Sequence, residues 1–144
     1  MLDVQTGNVE MPSLDFGKVE KWLTAVAHSH GYSFGRVNYR FCDDDEILVA
    51  NRQFVSHDYY TDIITFDYTR NGRVNGDVLI SLDTVASNAE LLRVPYHKEL
   101  LRVVAHGVLH LCGINDKSPA ERAEMEEAEN AALSLWDGMY GPEY

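Results

Sequence analysis

The chain has 144 residues, 45% of them hydrophobic and 24% charged, with a formal net charge of −11 at pH 7. That size suits one hydrophobic core, a single domain over 1–144, and no stretch reaches the roughly 18 to 20 apolar residues needed to cross a bilayer. The acidic balance excludes a protein that coats DNA or RNA through bulk phosphate contacts, which draw on lysine and arginine.

The charge is unevenly spread. From Asp116 onward eight acidic residues face two basic ones, a net of −6, whereas Arg36 to Arg102 carries eleven acidic and eight basic residues, a net of −3. The opening "MLDVQTGNVEMPSLDFGKVEKWL" has neither the basic nor the apolar region of an export signal, so a cytoplasmic protein is expected. Cys42 and Cys112 lack CxxC spacing and are expected to be reduced, buried thiols.

Helical spacing of Val19, Trp22, Leu23, Val26 and Ala27 predicts a core-facing helix from about Asp15 to His30, ended by Gly31. Val37, Tyr39 and Phe41 alternate with Asn38, Arg40 and Cys42, which predicts a strand with one face on the core. Asp43, Asp44, Asp45 and Glu46 then read as the cap and first turn of a second helix, where carboxylates meet the positive end of the helix dipole. Next, "DIITFDY" (62–68) and "GDVLISL" (76–82) flank "RNGR", a β-hairpin turned at Asn-Gly. Asp83 is expected to cap a short helix through Leu92, which Pro95 separates from the following one. Ser118, Pro119 and Glu121 form a capping-box start for an acidic amphipathic helix to about Leu135. Helices interspersed with strands without βαβ repetition imply an α+β fold, a mixed sheet packed by helices.

The stretch "VVAHGVLHLCGIND" (103–116) carries the chemistry. Apolar residues from Leu100 to Cys112 cover nearly the whole circumference of a helix over about Tyr96 to Cys112, so that helix is expected to be buried. His106 and His110 lie about 40° apart around its axis and about 6 Å along it, on one side. Each unmet hydrogen bond of a buried imidazole costs roughly 1–3 kcal/mol, so two side by side need a reason. Gly113 can stop the helix in a left-handed conformation and let the chain return Asp116 toward the rings. Two histidines and a carboxylate are the three protein donors of a catalytic zinc site with a fourth position open. HxxxHxxGxxD is the layout of metzincin-like sites with Asp in third place. The residue after the first histidine is Gly107 where zinc peptidases place a glutamate base, which disfavours the usual peptidase mechanism.

"AHGVLHLCGIND" resembles the YbeY family signature HGxLHLxGxDH, and the similarity extends through "YYTDIITFDY", "GDVLISLDTVASNAELL" and "KELLRVVAHG". The resemblance implies a small α+β fold with a mixed four-stranded sheet, a metzincin-like zinc site, and metal-dependent endoribonuclease action on single-stranded RNA. It further implies a place in ribosomal RNA processing, notably maturation of the small-subunit RNA 3′ end, and in ribosome quality control. His106 and His110 match the first two family zinc ligands, and Asp116 falls where the third, usually histidine, stands. Carboxylate for imidazole lowers the site charge by one, which weakens the Lewis acid and raises the pKa of a bound water. Activity is therefore expected at higher pH than in an all-histidine relative, and Asp116→His should move the pH-rate profile down the scale; an unmoved profile removes the argument. Where the family often has an arginine upstream of its Thr-Asp pair, this chain has Val55. His57 is a stand-in candidate for proton transfer or phosphate contact. Thr61 and Asp62 match the Thr-Asp pair, with capping or turn hydrogen bonding as their simplest role.

The working mechanism has the metal polarise a phosphodiester oxygen beside a water close to ionisation. Attack by hydroxide leaves a 5′ or 3′ phosphate, and attack by the ribose 2′-OH leaves a cyclic one. Two alternatives stand beside it: a zinc hydrolase of another substrate, peptides included, and a zinc-stabilised ribosome-assembly factor that cuts nothing. A net negative protein is repelled by bulk RNA, so it is expected either to meet its substrate beside a ribosomal or assembly protein or to cut slowly on its own.

Overall fold

Strand β2 (Ser33–Cys42) and strand β4 (Arg73–Ser81) pair in parallel and form the centre of a four-stranded sheet. Strand β1 (Leu2–Thr6) adds in parallel outside β2, and β3 (Ile63–Asp67) adds antiparallel outside β4, giving the mixed order β1-β2-β4-β3. Five α-helices complete the α+β fold: α1 (Phe16–Ser29), α2 (Asp44–Ala50), α3 (Leu82–Leu92), α4 (Tyr96–Leu111) and α5 (Pro119–Tyr140). A π-helical turn, Asn51–Val55, continues α2. The computed structural model describes residues 1–55 and 61–142, and His57 lies outside them.

Helix α4 is the buried centre, packed on the sheet and flanked by α1, α3 and α5. Leu100, Leu101, Val104, Val108 and Leu109 meet Trp22 and Leu23 of α1, Tyr39 of β2 and Ile80 of β4 in one core. The Tyr39 hydroxyl donates to Val104 O at 2.6 Å and Trp22 Nε1 to Ala132 O at 2.7 Å, so both of these polar tips are paired. At Gly107 helix and sheet approach closely: a methyl group there would stand 3.0 Å from Val78 Cγ1 and 3.4 Å from Ile63 Cδ1. Val78 is itself only 1% exposed and has nowhere to retreat. Overpacking should therefore outweigh the ~1 kcal/mol of helix propensity that alanine restores. Gly107→Ala is expected to lower unfolding free energy by about 1 kcal/mol in a urea titration; a more stable variant would show that the sheet yields.

Several element ends differ from expectation for local reasons. Strand β4 begins at Arg73 rather than Gly76 because Asn71 and Gly72, with φ of 54° and 72°, make a two-residue turn that the ladder reaches directly. Ser81, not Asp83, caps α3, accepting from Thr84 N at 3.3 Å. Asp83 instead accepts from Asp44 N at 3.0 Å, while Asp44 Oδ1 accepts from the Ser81 and Thr84 hydroxyls, both at 2.6 Å. Asp83 thus caps the start of α2 while Asp44 is tied to the start of α3 through side-chain hydroxyls, and Asp43 caps α2 as its sequence predicts. Helix α5 has its capping box at Ser118 and Glu121 but continues five residues past Leu135. Trp136 packs edge-on against Trp22 at 5.2 Å and Tyr140 donates to Lys18 O, so α1 supplies partners beyond the periodic stretch. Cys42 and Cys112 are free and buried, and burial pushes their thiols up to about 12 and about 11.

Candidate metal centre

The end of α4 decides whether the two histidines meet a third donor. Gly113 takes φ of 89°, Ile114 N donates to Leu109 O at 3.1 Å and Gly113 N to His110 O at 2.9 Å, the bond pair of a Schellman cap. Leu109 and Ile114 are both buried, the apolar contact that accompanies this motif. The chain then turns back and sets Asp116 against the rings. Asp116 Oδ2 lies 3.3 Å from His106 Nε2, and Oδ1 lies 3.4 Å from His110 Nε2. The ring centroids are 4.8 Å apart and nearly perpendicular, and the three ligand atoms fall within 4.8 Å of one another. Among the described residues this is the one His/Cys/Asp/Glu group that could hold a metal ion.

The spacing fits a small dication. Tetrahedral bonds of roughly 2.0–2.1 Å put neighbouring donor atoms about 3.3–3.4 Å apart; each imidazole has one Asp116 oxygen at that separation, Oδ2 for His106 and Oδ1 for His110. Burial first, and the neighbouring His106 second, lower the pKa of His110, keeping its lone pair available. Glu129 Oε2 sits 2.7 Å from His106 Nδ1. With the Nδ1 proton directed to that carboxylate, the Nε2 lone pair faces Asp116.

The surroundings hold residues that the sequence reading passed over. Arg102, one turn before His106, donates from Nε and Nη2 to both oxygens of Glu99 at 2.7 and 2.5 Å and from Nη1 to Glu129 Oε2 at 2.8 Å. Glu99 and Glu129 are buried, at 1% and 5% exposure. Asp62, expected in a turn, lines the cavity with its Oδ2 4.0 Å from Arg102 Nη2. Burial raises the pKa of its carboxyl against the lowering pull of His106 and Arg102. The signal for Glu99 and Arg102 was their 3-4-4 spacing with His106 and His110, a polar stripe on an apolar helix. For Glu129 it was a place in the inward row Met125, Ala128, Ala132, Leu133 and Trp136 of α5.

A cavity of about 400 Å³ opens over the rings between β3 and α4. Another, of about 440 Å³, lies on the far sheet face beside Val49 and Phe66, where Arg40 is tied to Glu46 at 2.6 Å. It contains no metal-ligating group of the kind found at α4. Among the described residues no helix is long and apolar enough to cross a membrane.

A small α+β protein with a His-His-Asp cluster at the capped end of a buried helix is the class that fold and site define. The family model described as Endoribonuclease YbeY matches residues 4–137. Proteins named Endoribonuclease YbeY from Phocaeicola vulgatus and Bacteroides thetaiotaomicron are 55% and 53% identical, over 94% and 91% of this chain and 98% and 96% of theirs. The solution structure of a Thermotoga maritima protein superposes with a TM-score of 0.70 at 26% identity, covering 97% of this chain and 91% of that one. The chain belongs to the YbeY family.

Proposed function

We propose that this chain is a metal-dependent endoribonuclease, with Zn²⁺ held by His106, His110 and Asp116, that cuts single-stranded RNA in ribosomal RNA processing. The family and the names of its relatives support ribonuclease action. The observation that carries the metal reading is the pair of 3.3 and 3.4 Å contacts from one carboxylate to two imidazoles. The ion supplies Lewis-acid polarisation of a phosphoryl oxygen.

The side chains divide the remaining work. Glu129 orients His106 through Nδ1, and Arg102 holds Glu129 in place. Asp62 faces the same cavity with a raised proton affinity, which suits a carboxyl that takes a proton from an attacking hydroxyl or returns one to the leaving oxygen. Peptidase action on the HExxH pattern has no support, because a side chain at 107 would run into Val78. The acidic surface favours delivery of the RNA by a ribosomal or assembly protein in the cytoplasm.

End-labelled single-stranded RNA and casein, each incubated with the protein with and without chelator, test this reading. RNA is expected to be cut only while metal is present and casein not at all. Cleavage of casein alone, or no turnover of RNA by metal-loaded protein, overturns it.

A further inference from the structure

Two cavities meet at the metal cluster. One, of about 400 Å³, reaches His110 and Asp62; the other, of about 410 Å³, is lined by Leu92, Met125 and Arg122. Arg102, His106 and Asp116 line both and so form the divide between them. A phosphodiester joins two nucleosides, so a strand crossing this divide has a phosphate over it and a nucleoside on either side. Whatever sits on the divide meets that phosphate.

Arg102 is built for such a contact. Its guanidinium has five N–H groups, of which three are spent on Glu99 and Glu129. Among the described residues nothing accepts from the other two, one on each terminal nitrogen. The further carboxylate oxygen recorded there, Asp62 Oδ2, is 4.0 Å from Nη2, an ion pair without a hydrogen bond. Glu99 and Glu129 are almost fully buried, while the Arg102 side chain keeps 26% exposure and lines both cavities, the second beside Glu129. Among the described residues it is the only Lys or Arg side chain lining the cavity that contains both histidines. A counterion role alone asks only for a positive charge, which lysine also supplies; a planar fork with two spare donors matches two phosphoryl oxygens.

We propose that Arg102 is the phosphate anchor of this site, gripping the RNA phosphodiester that lies across the divide between the two cavities. The proposal rests on the endoribonuclease reading and adds the residue that does for this chain what an arginine in place of Val55 would do.

The test uses the metal-loaded full chain, Arg102→Lys, and the charge-balanced double variant Glu99→Gln/Arg102→Gln. Metal content and melting are measured first, then cleavage of a short single-stranded RNA over a range of salt. For Arg102→Lys we expect a loss of about tenfold to a hundredfold in kcat/KM, mostly through KM, at unchanged metal content. The double variant should also flatten the dependence of log KM on log salt by about 0.7, the value of one phosphate contact on a single strand. On wild-type protein, a non-cleavable 2′-O-methyl RNA should shift the Arg102 guanidinium Nη–H resonances, assigned through bonds from the Arg102 side chain of the wild type itself; this readout stands even where a variant fails to fold. Unchanged KM and salt slope in folded, metal-loaded variants, or an unmoved Arg102 resonance in RNA-bound wild type, overturns the anchor. Wild-type protein that neither binds nor cuts RNA overturns the endoribonuclease reading itself, and the anchor with it.

Discussion

His106→Ala protein should fold, carry no metal after dialysis, and leave single-stranded RNA uncut. The expectation follows from what each neighbour does once the imidazole is gone. His110 and Asp116 remain as two donors, too few for the three-ligand set that holds a catalytic dication. Losing merely an outer partner of a metal-binding histidine costs about 10- to 100-fold in affinity, so losing the histidine itself costs more than about 100-fold. The fold is buffered because Glu129, the other residue bonded to that ring, keeps its 2.8 Å bond from Arg102 and is not left as an uncompensated buried charge. Metal analysis, a melting curve and an end-labelled RNA gel read the three outcomes. Chelated wild type should lose activity in the same way and recover it on adding Zn²⁺, which the variant should not. Full metal content together with wild-type cleavage in His106→Ala would move the site away from α4.

Much of this arrangement is legible in the sequence, and what escapes does so for identifiable reasons. The Asn-Gly hairpin, the capping box at Ser118 and the buried α4 follow from local rules that packing reinforces. Strand β1 is missed because five residues with only Leu2 and Val4 as apolar positions carry little periodicity; parallel pairing to β2 makes it a strand. Asp83 looks like a cap and is one, but for α2 across space, a partner that no local window contains. The metal cluster is readable because two donors share one helix face and the third follows a glycine stop. Not all of its supports are local: Glu129 lies 23 positions from His106, on a different helix. Its place in the inward row of α5 separates Glu129 from its neighbours Glu126 and Glu127, but which residue of α4 it meets is a property of the assembled core.

Glu129→Gln and Glu129→Leu should separate the two jobs of that carboxylate. A single oxygen, Oε2, lies 2.7 Å from His106 Nδ1 and 2.8 Å from Arg102 Nη1, so one residue both orients the His106 ring and neutralises a cation. Gln keeps the shape and an accepting oxygen but not the charge. It should lower metal affinity about 10- to 100-fold, because His106 loses the anion that raises its basicity. Its stability cost should be only about 1–2 kcal/mol, the worth of a weakened charge-assisted bond. Leu removes the acceptor altogether; Arg102 keeps both bonds to Glu99 and is not left uncompensated, so the expected loss is that of the unmade bonds at Arg102 Nη1 and His106 Nδ1, about 1–3 kcal/mol each. Glu99→Gln is the control: Glu99 also binds Arg102 but has no bond to His106, so it should destabilise the protein while leaving metal affinity within about threefold of wild type. Urea titration and competition with a chromogenic chelator give both quantities for each variant. Equal losses of metal affinity in Glu99→Gln and Glu129→Gln would mean that the site responds to general loosening of α4, and the specific pull of one carboxylate on one ring would have to be abandoned.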